Sequence, residues 1–179
     1  IMITTTCSVT ISKAEPANPI YEIQKPLCYT FSFLEPVVQE KIVLNHEYST
    51  IHLDGCTGLG KEAGAPTLPV KFVQMLLPPM TTVDSIVATG TPVKVQLRGF
   101  DLITKPVLPY QNEVPLNDPL PDTLVVDNNL YASSSPYPST TINNYDIGYS
   151  HGYAILDFSL NPVQYLPQHG ELYYYQKIT

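Results

Sequence analysis

Residues able to do chemistry are few and scattered in this chain of 179 residues. Nucleophilic catalysis by cysteine needs a thiolate, a base within hydrogen-bonding reach and an oxyanion hole. The candidate thiols are Cys7, Cys28 and Cys56, and the most suggestive base is His151, which precedes Gly152. All three cysteines lie upstream of that histidine, and Gly148, Tyr149 and Ser150 before it do not make an apolar strand. His151 therefore reads as an exposed residue of a loop or strand start. Ser133, Ser134 and Ser135 lack a GxSxG elbow, and the carboxylates are too dispersed to nominate an acid/base pair. Asp118, Asp122 and Asp127 could gather around calcium, but the EF-hand spacing is missing. His46 and His52 flank a predicted hairpin, where exposed strand-edge histidines are a simpler reading than a metal pair. Gly58-Leu59-Gly60-Lys61 looks like a phosphate loop, yet Glu62 stands where a hydroxyl is needed and no helix pattern follows. The cysteines are too widely spaced for a CxxC site. They read as small buried apolar side chains, with a Cys28–Cys56 bridge possible in an oxidising compartment. No catalytic residue, metal or cofactor is expected, and the sequence does not look like an enzyme.

The surrounding elements point to a β-protein. Hydrophobic residues make up 44% and charged ones 14%, enough to build one core and too apolar for disorder. Eighteen prolines argue against long helices, and thirteen tyrosines suit strands and contact surfaces. The net charge of -7 repels phosphate backbones and anionic lipid, so neither nucleic acid nor membrane is expected as a partner. No apolar run reaches the roughly 20 residues of a membrane helix, and no signal peptide is visible at the N-terminus.

Period-two patterns and turn residues predict strands over residues 7–12, 29–34, 41–44, 48–53, 83–89, 93–98, 123–126, 153–160, 163–166 and 171–178. Residues 45–47 are the expected turn of the first hairpin, and residues 127–129 another turn. In 93–98 the alternation puts Val93, Val95 and Leu97 inward. In 153–160 it puts Leu156, Phe158 and Leu160 inward, with Asp157 and Ser159 outward. The most apolar stretch, 70–77, reads as a central strand covered on both faces. Val70, Phe72 and Leu76 are expected in the core. Val73, Met75 and Leu77 should lie under a proline-rich loop or form an apolar patch. Two long loops stand out. Residues 106–121 carry closely spaced prolines and should be extended and polyproline-like. Residues 131–145 are rich in Tyr, Ser and Asn, which suits binding. Short strands between Gly/Pro turns imply one all-β domain over residues 1–179, an antiparallel sandwich or partly closed barrel.

Three stretches carry a family resemblance: GAPTLPVKFVQMLLPP at 64–79, Tyr131 with Tyr137-Pro138, and NPVQYLPQHGELYYYQKI at 161–178. Together, from about residue 54 to the end, they resemble the N-terminal propeptide domain of gingipain-type secreted cysteine peptidases. The resemblance implies a secreted or cell-surface precursor. In it this domain would keep a downstream caspase-like catalytic domain latent and assist its folding. The partner would be the catalytic domain of its own precursor, and the isolated domain would be a monomer. His151-Gly152 resembles the His-Gly dipeptide of that peptidase clan, but there the histidine precedes the cysteine. The family's inhibitory loop corresponds to residues 107–122, which makes Tyr110, Gln111, Asn112, Glu113, Leu116, Asn117 and Asp118 the candidate contact residues. Gingipain loops offer a basic residue, whereas this chain has no Lys or Arg between Lys105 and Lys177. The pocket it fills should then not demand a basic side chain, and Asn112, Leu116 and Asp118 are the possible occupants. The competing reading is an extracellular binding or adhesion module that recognises protein or carbohydrate through its tyrosine-rich loop.

Overall fold

The computed structural model describes residues 10–13, 27–77, 81–119, 121–143 and 145–179. The expectations for Cys7, residues 15–19 and Pro78-Pro79 fall outside these. Thirteen strands are described: β1 (Thr10–Lys13), β2 (Phe31–Ser32), β3 (Val37–Val43), β4 (His46–His52), β5 (Gly58–Leu59), β6 (Pro69–Leu77), β7 (Thr81–Ser85), β8 (Pro92–Lys94), β9 (Asp146–Ser150), β10 (Tyr153–Leu160), β11 (Val163–Leu166), β12 (Glu171–Tyr175) and β13 (Lys177–Ile178). One α-helical turn, α1 (Asn128–Tyr131), and one turn of 3-10 helix at Pro167–His169 interrupt them. All the pairings between these strands are antiparallel. The sheets run β5-β6-β10-β9, β11-β12-β8, β3-β4, β1-β7 and β13-β2, and none of them closes into a barrel. The fold is all-β and of sandwich type.

Local chemistry explains the hairpins. β3 and β4 join through Leu44 and Asn45, both at positive φ, the two-residue turn whose twist matches the flanking strands. The turn thus sits one residue earlier than the sequence suggests, and β3 begins at Val37. His46 pairs with Val43 and His52 with Val37, so the two histidines mark opposite ends of β4 and cannot share a metal. At ~3.3 Å per residue they are about 20 Å apart. His151 and Gly152 make the same kind of left-handed turn between β9 and β10. The strands expected at 163–166 and from 171 pair as the β11–β12 hairpin, with Pro167–His169 as a turn of 3-10 helix and Gly170 at φ +60 ending it.

One core joins the sheets. It includes Ile51, Leu102, Val107, Leu156, Leu160, Val163, Tyr165 and Leu172. Leu156, Phe158 and Leu160 face it, as the alternation predicts, while Asp157 and Ser159 do not. Phe31 meets Phe158 edge-on, with ring centroids 6.5 Å apart.

The expected orientation of β6 is wrong. Val73, Met75 and Leu77 pack on the core, while Phe72 and Leu76 are 59% and 67% exposed. Of the three residues expected in the core, only Val70 is buried. The cause is register. Val73, Met75 and Leu77 pair with Phe158, Leu156 and Ala154, and directly opposed residues of an antiparallel pair share a face. The unambiguous β10 pattern therefore sets the side of β6. β6 is central in its sheet, but its face at Phe72 and Leu76 is open rather than covered.

Other expectations also shift. β8 ends at Lys94, and Val93 is exposed while Val95 is buried. Arg98 and Gly99 take positive φ and turn the chain away. The strand expected at 29–34 shrinks to Phe31–Ser32, with Tyr29 exposed. No strand forms at 123–126. Asp127 begins a helical turn there, its carboxylate accepting the N–H groups of Asn129 and Leu130 as an N-cap. Residues 106–110, expected only as extended loop, lie between two neighbours and bond to both. Leu108 N–H donates to Ser49 and Tyr110 N–H to Ala65, and Thr67 N–H donates to Leu108. Val107 is fully buried. The prolines at 106 and 109 are tolerated because the donors used belong to the residues between and after them.

Candidate functional site

Beyond residue 110 the same segment leaves the body of the protein. Residues 112–119 are all exposed. Pro115 accepts the N–H of Asp118 at 2.9 Å, closing a turn whose tip is Leu116. Leu116 is 100% exposed, more than any other large hydrophobic residue described. A leucine held wholly in water at a loop tip contributes nothing to the core, so its chemistry points outward.

The base of this loop is built with care. On one side Gly64 N–H donates to Tyr110 at 2.8 Å, and on the other Asp127 N–H donates to Gly64 at 3.0 Å. Gly64 thus holds both stems. Its φ is +82, and a Cβ there would stand 2.9 Å from the Asp127 nitrogen and 3.3 Å from the Val126 carbonyl carbon. Only glycine combines that conformation with that approach. Ala65 follows with its bond to Tyr110, and Pro66 bridges Pro109. The Gly64-Ala65-Pro66 motif seen in the sequence is therefore the seat of the projecting loop. One residue up, the Gln111 side chain spans the stems: Nε2 donates to the Val125 carbonyl at 2.8 Å, and Oε1 accepts the Val125 N–H at 2.8 Å.

The seven candidate contact residues thus divide. Asn112, Glu113, Leu116, Asn117 and Asp118 stand on the exposed loop, whereas Tyr110 and Gln111 belong to its stem. Gly64, Val125 and Asp127 complete the site; the sequence offered Gly64 only as part of a motif, Asp127 only as a turn residue and calcium candidate, and Val125 only within an expected strand. Their role depends on hydrogen bonds between separated segments, 14 residues apart for Gln111 and Val125 and some 60 for Gly64 and Asp127, which no local pattern reports.

The other chemical candidates find different work. His151 is exposed and its Nδ1 lies 2.9 Å from Ser150 Oγ. Cys28 and Cys56 are free thiols, so the possible bridge between them does not form. Burial pushes the Cys56 thiol up to about 11. Asp127 caps α1, and no group of three His, Cys, Asp or Glu among the described residues could hold a metal ion. The tyrosines of 131–145 are largely spent inside. Tyr131 donates to the Val107 carbonyl at 2.5 Å and Tyr137 to Glu62 at 3.0 Å, and burial raises the pKa of both phenols. A groove of about 500 Å³ lies beside Tyr137, between Lys61 and Ser135. Among the described residues, no helix is long and apolar enough to cross a membrane.

Two solved structures from Porphyromonas gingivalis share the fold. One, described under zymogenic latency of gingipain K, is 19% identical, with a TM-score of 0.63 over 83% of this chain and 82% of that one. The other, a complex of RgpB pro- and mature domains, is 14% identical, with a TM-score of 0.60 over 83% of this chain and 74% of that one. No curated protein sequence matches significantly. The family model Propeptide_C25 matches residues 27–179, which reaches further upstream than the motifs from residue 54 onward. The chain therefore belongs to the C25 propeptide family, the non-catalytic propeptides of gingipain-type cysteine peptidase precursors.

Proposed function

We propose that this protein is the latency domain of a secreted or cell-surface peptidase precursor, acting as one β-sandwich unit over residues 1–179. Its partner is the catalytic domain of that precursor, and the loop carrying residues 112–119 enters the catalytic cleft. The observation that carries this is the fully exposed Leu116 at the tip of a loop whose stems are tied to the core. An extended segment can lie in a cleft as substrate would. A domain that binds only the folded enzyme also stabilises it by mass action, which accounts for folding assistance. Family membership and the two similar propeptide structures support the reading. They favour it over an adhesion module, as does the inward use of Tyr131 and Tyr137.

Of Asn112, Leu116 and Asp118, we assign Leu116 as the pocket residue, a reading its exposed tip position supports. The pocket it fills is then apolar, in line with the absence of Lys and Arg from this loop. The test is inhibition of the mature peptidase of the same precursor by the wild-type domain and by one with residues 112–118 replaced by Gly and Ser. The replacement should abolish inhibition, and Leu116→Ala should weaken it. Unchanged inhibition by the loop replacement would sink the assignment.

A further inference from the structure

We infer that Gln111 is a positioning residue: its side-chain amide clamps the two stems of the projecting loop, so residues 112–119 are held in a binding-ready shape before any partner arrives. This rests on the reading of that loop as the partner-facing segment. The geometry is specific. Val125 gives its N–H to Oε1 and takes Nε2–H on its carbonyl, both at 2.8 Å. That two-way exchange is what a paired strand residue would provide, so the glutamine amide stands in for a missing rung of sheet. Nε2 also reaches the carbonyls of Tyr110 at 2.9 Å and Pro109 at 3.2 Å, which fixes the amide in place. Below it lies the second cross-link, Tyr110 to Gly64 to Asp127. Two successive ties close the loop at its neck, and the described residues 112–119 beyond them are exposed.

The clamp matters because ordering on binding is costly. Freezing one otherwise free residue loses roughly tenfold in affinity. A loop already closed at its neck avoids part of that loss. Gln111 itself then need not touch the partner, although its place in the sequence suggests a contact residue.

The experiment compares wild type, Gln111→Ala, Leu116→Ala and the double variant. Inhibition of the mature peptidase of the same precursor is measured alongside thermal melting and amide hydrogen exchange of the free domain. Gln111→Ala should weaken inhibition by about tenfold. It should quicken exchange at Val125 while leaving the core amides protected. It should also cost less on the Leu116→Ala background, since a clamp acts through the loop it presents. Gln111→Glu sets an acceptor-only carboxylate against the carbonyls of Val125, Tyr110 and Pro109, so it should weaken inhibition at least as much as the alanine variant, and it carries the test if that variant does not fold. Wild-type inhibition by Gln111→Ala with weakened inhibition by Leu116→Ala overturns the clamp and leaves the loop reading standing. Full inhibition by all variants overturns both.

Discussion

Replacing Gly64 with alanine tests the seat of the loop directly. An L-residue in the left-handed region costs about 1–2 kcal/mol. The new methyl group would meet Asp127 N at 2.9 Å and Val126 C at 3.3 Å, both backbone atoms that cannot swing aside. Relief requires moving the returning stem, which breaks the 3.0 Å bond from Asp127 to Gly64. That bond is worth about 1 kcal/mol. Alanine also stiffens the unfolded chain, which returns about 0.4–1 kcal/mol. The net loss is about 2 kcal/mol, a fall of roughly 4–8 °C in Tm for a chain of this length. Urea unfolding followed by tyrosine fluorescence measures it, with Gly148→Ala as control. A Cβ at Gly148 meets nothing within 4 Å, so that variant should stay within about 0.5 kcal/mol of wild type. A loss below about 0.5 kcal/mol for Gly64→Ala would show that the stems relax freely and that Gly64 does not hold them.

The orientation of β6 predicts that Phe72→Ser or Leu76→Ser changes stability by no more than about 0.5 kcal/mol, whereas Leu156→Ala costs about 2–5 kcal/mol. Chemical denaturation of the three variants checks this, and equal losses would refute the exposed face. Iodoacetamide at pH 8 should label exposed Cys28 at least about tenfold faster than Cys56, whose raised pKa leaves roughly one thiolate in a thousand. Equal rates by mass spectrometry would contradict the burial of Cys56. The hydrogen bond from Lys94, and then that from Tyr173, lowers the Glu171 pKa. A depressed carboxylate adds stability above its unfolded value, near pH 4, and loses it as pH falls through the folded value. Glu171→Gln should therefore flatten the acid limb of the stability–pH curve: slightly less stable than wild type above about pH 4, and equal to it once the pH falls below the folded value. The pair is exposed, so the change will be small and salt-sensitive.

Much of this architecture is legible in the chain. Proline abundance argued against long helices, the alternation of 153–160 marked a strand with its inward residues, and Pro167 with Gly170 marked the turn of the last hairpin. The clean β10 pattern was readable because its polar residues, Asp157 and Ser159, mark one face. β6 was not, since it is apolar at Phe72 and Leu76 as well as at Val73, Met75 and Leu77. An apolar run carries no sign of which face is wet, and only pairing with β10 supplies it.

The loop shows the same division. Composition alone determined that residues 106–121 could not be helix and that they held no basic side chain, while Gly64-Ala65-Pro66 stood out only through the family resemblance. Tertiary structure decided where that segment stops being core and starts being surface. Val107 is fully buried and Leu116 fully exposed, though both are apolar residues of one proline-rich stretch. The difference lies in which backbone groups find partners. Up to Tyr110 the segment bonds to Ser49, Ala65 and Gly64, and after Gln111 the described residues 112–119 turn outward. Those partners are distant in sequence, so folding, not local propensity, sets the boundary between scaffold and site.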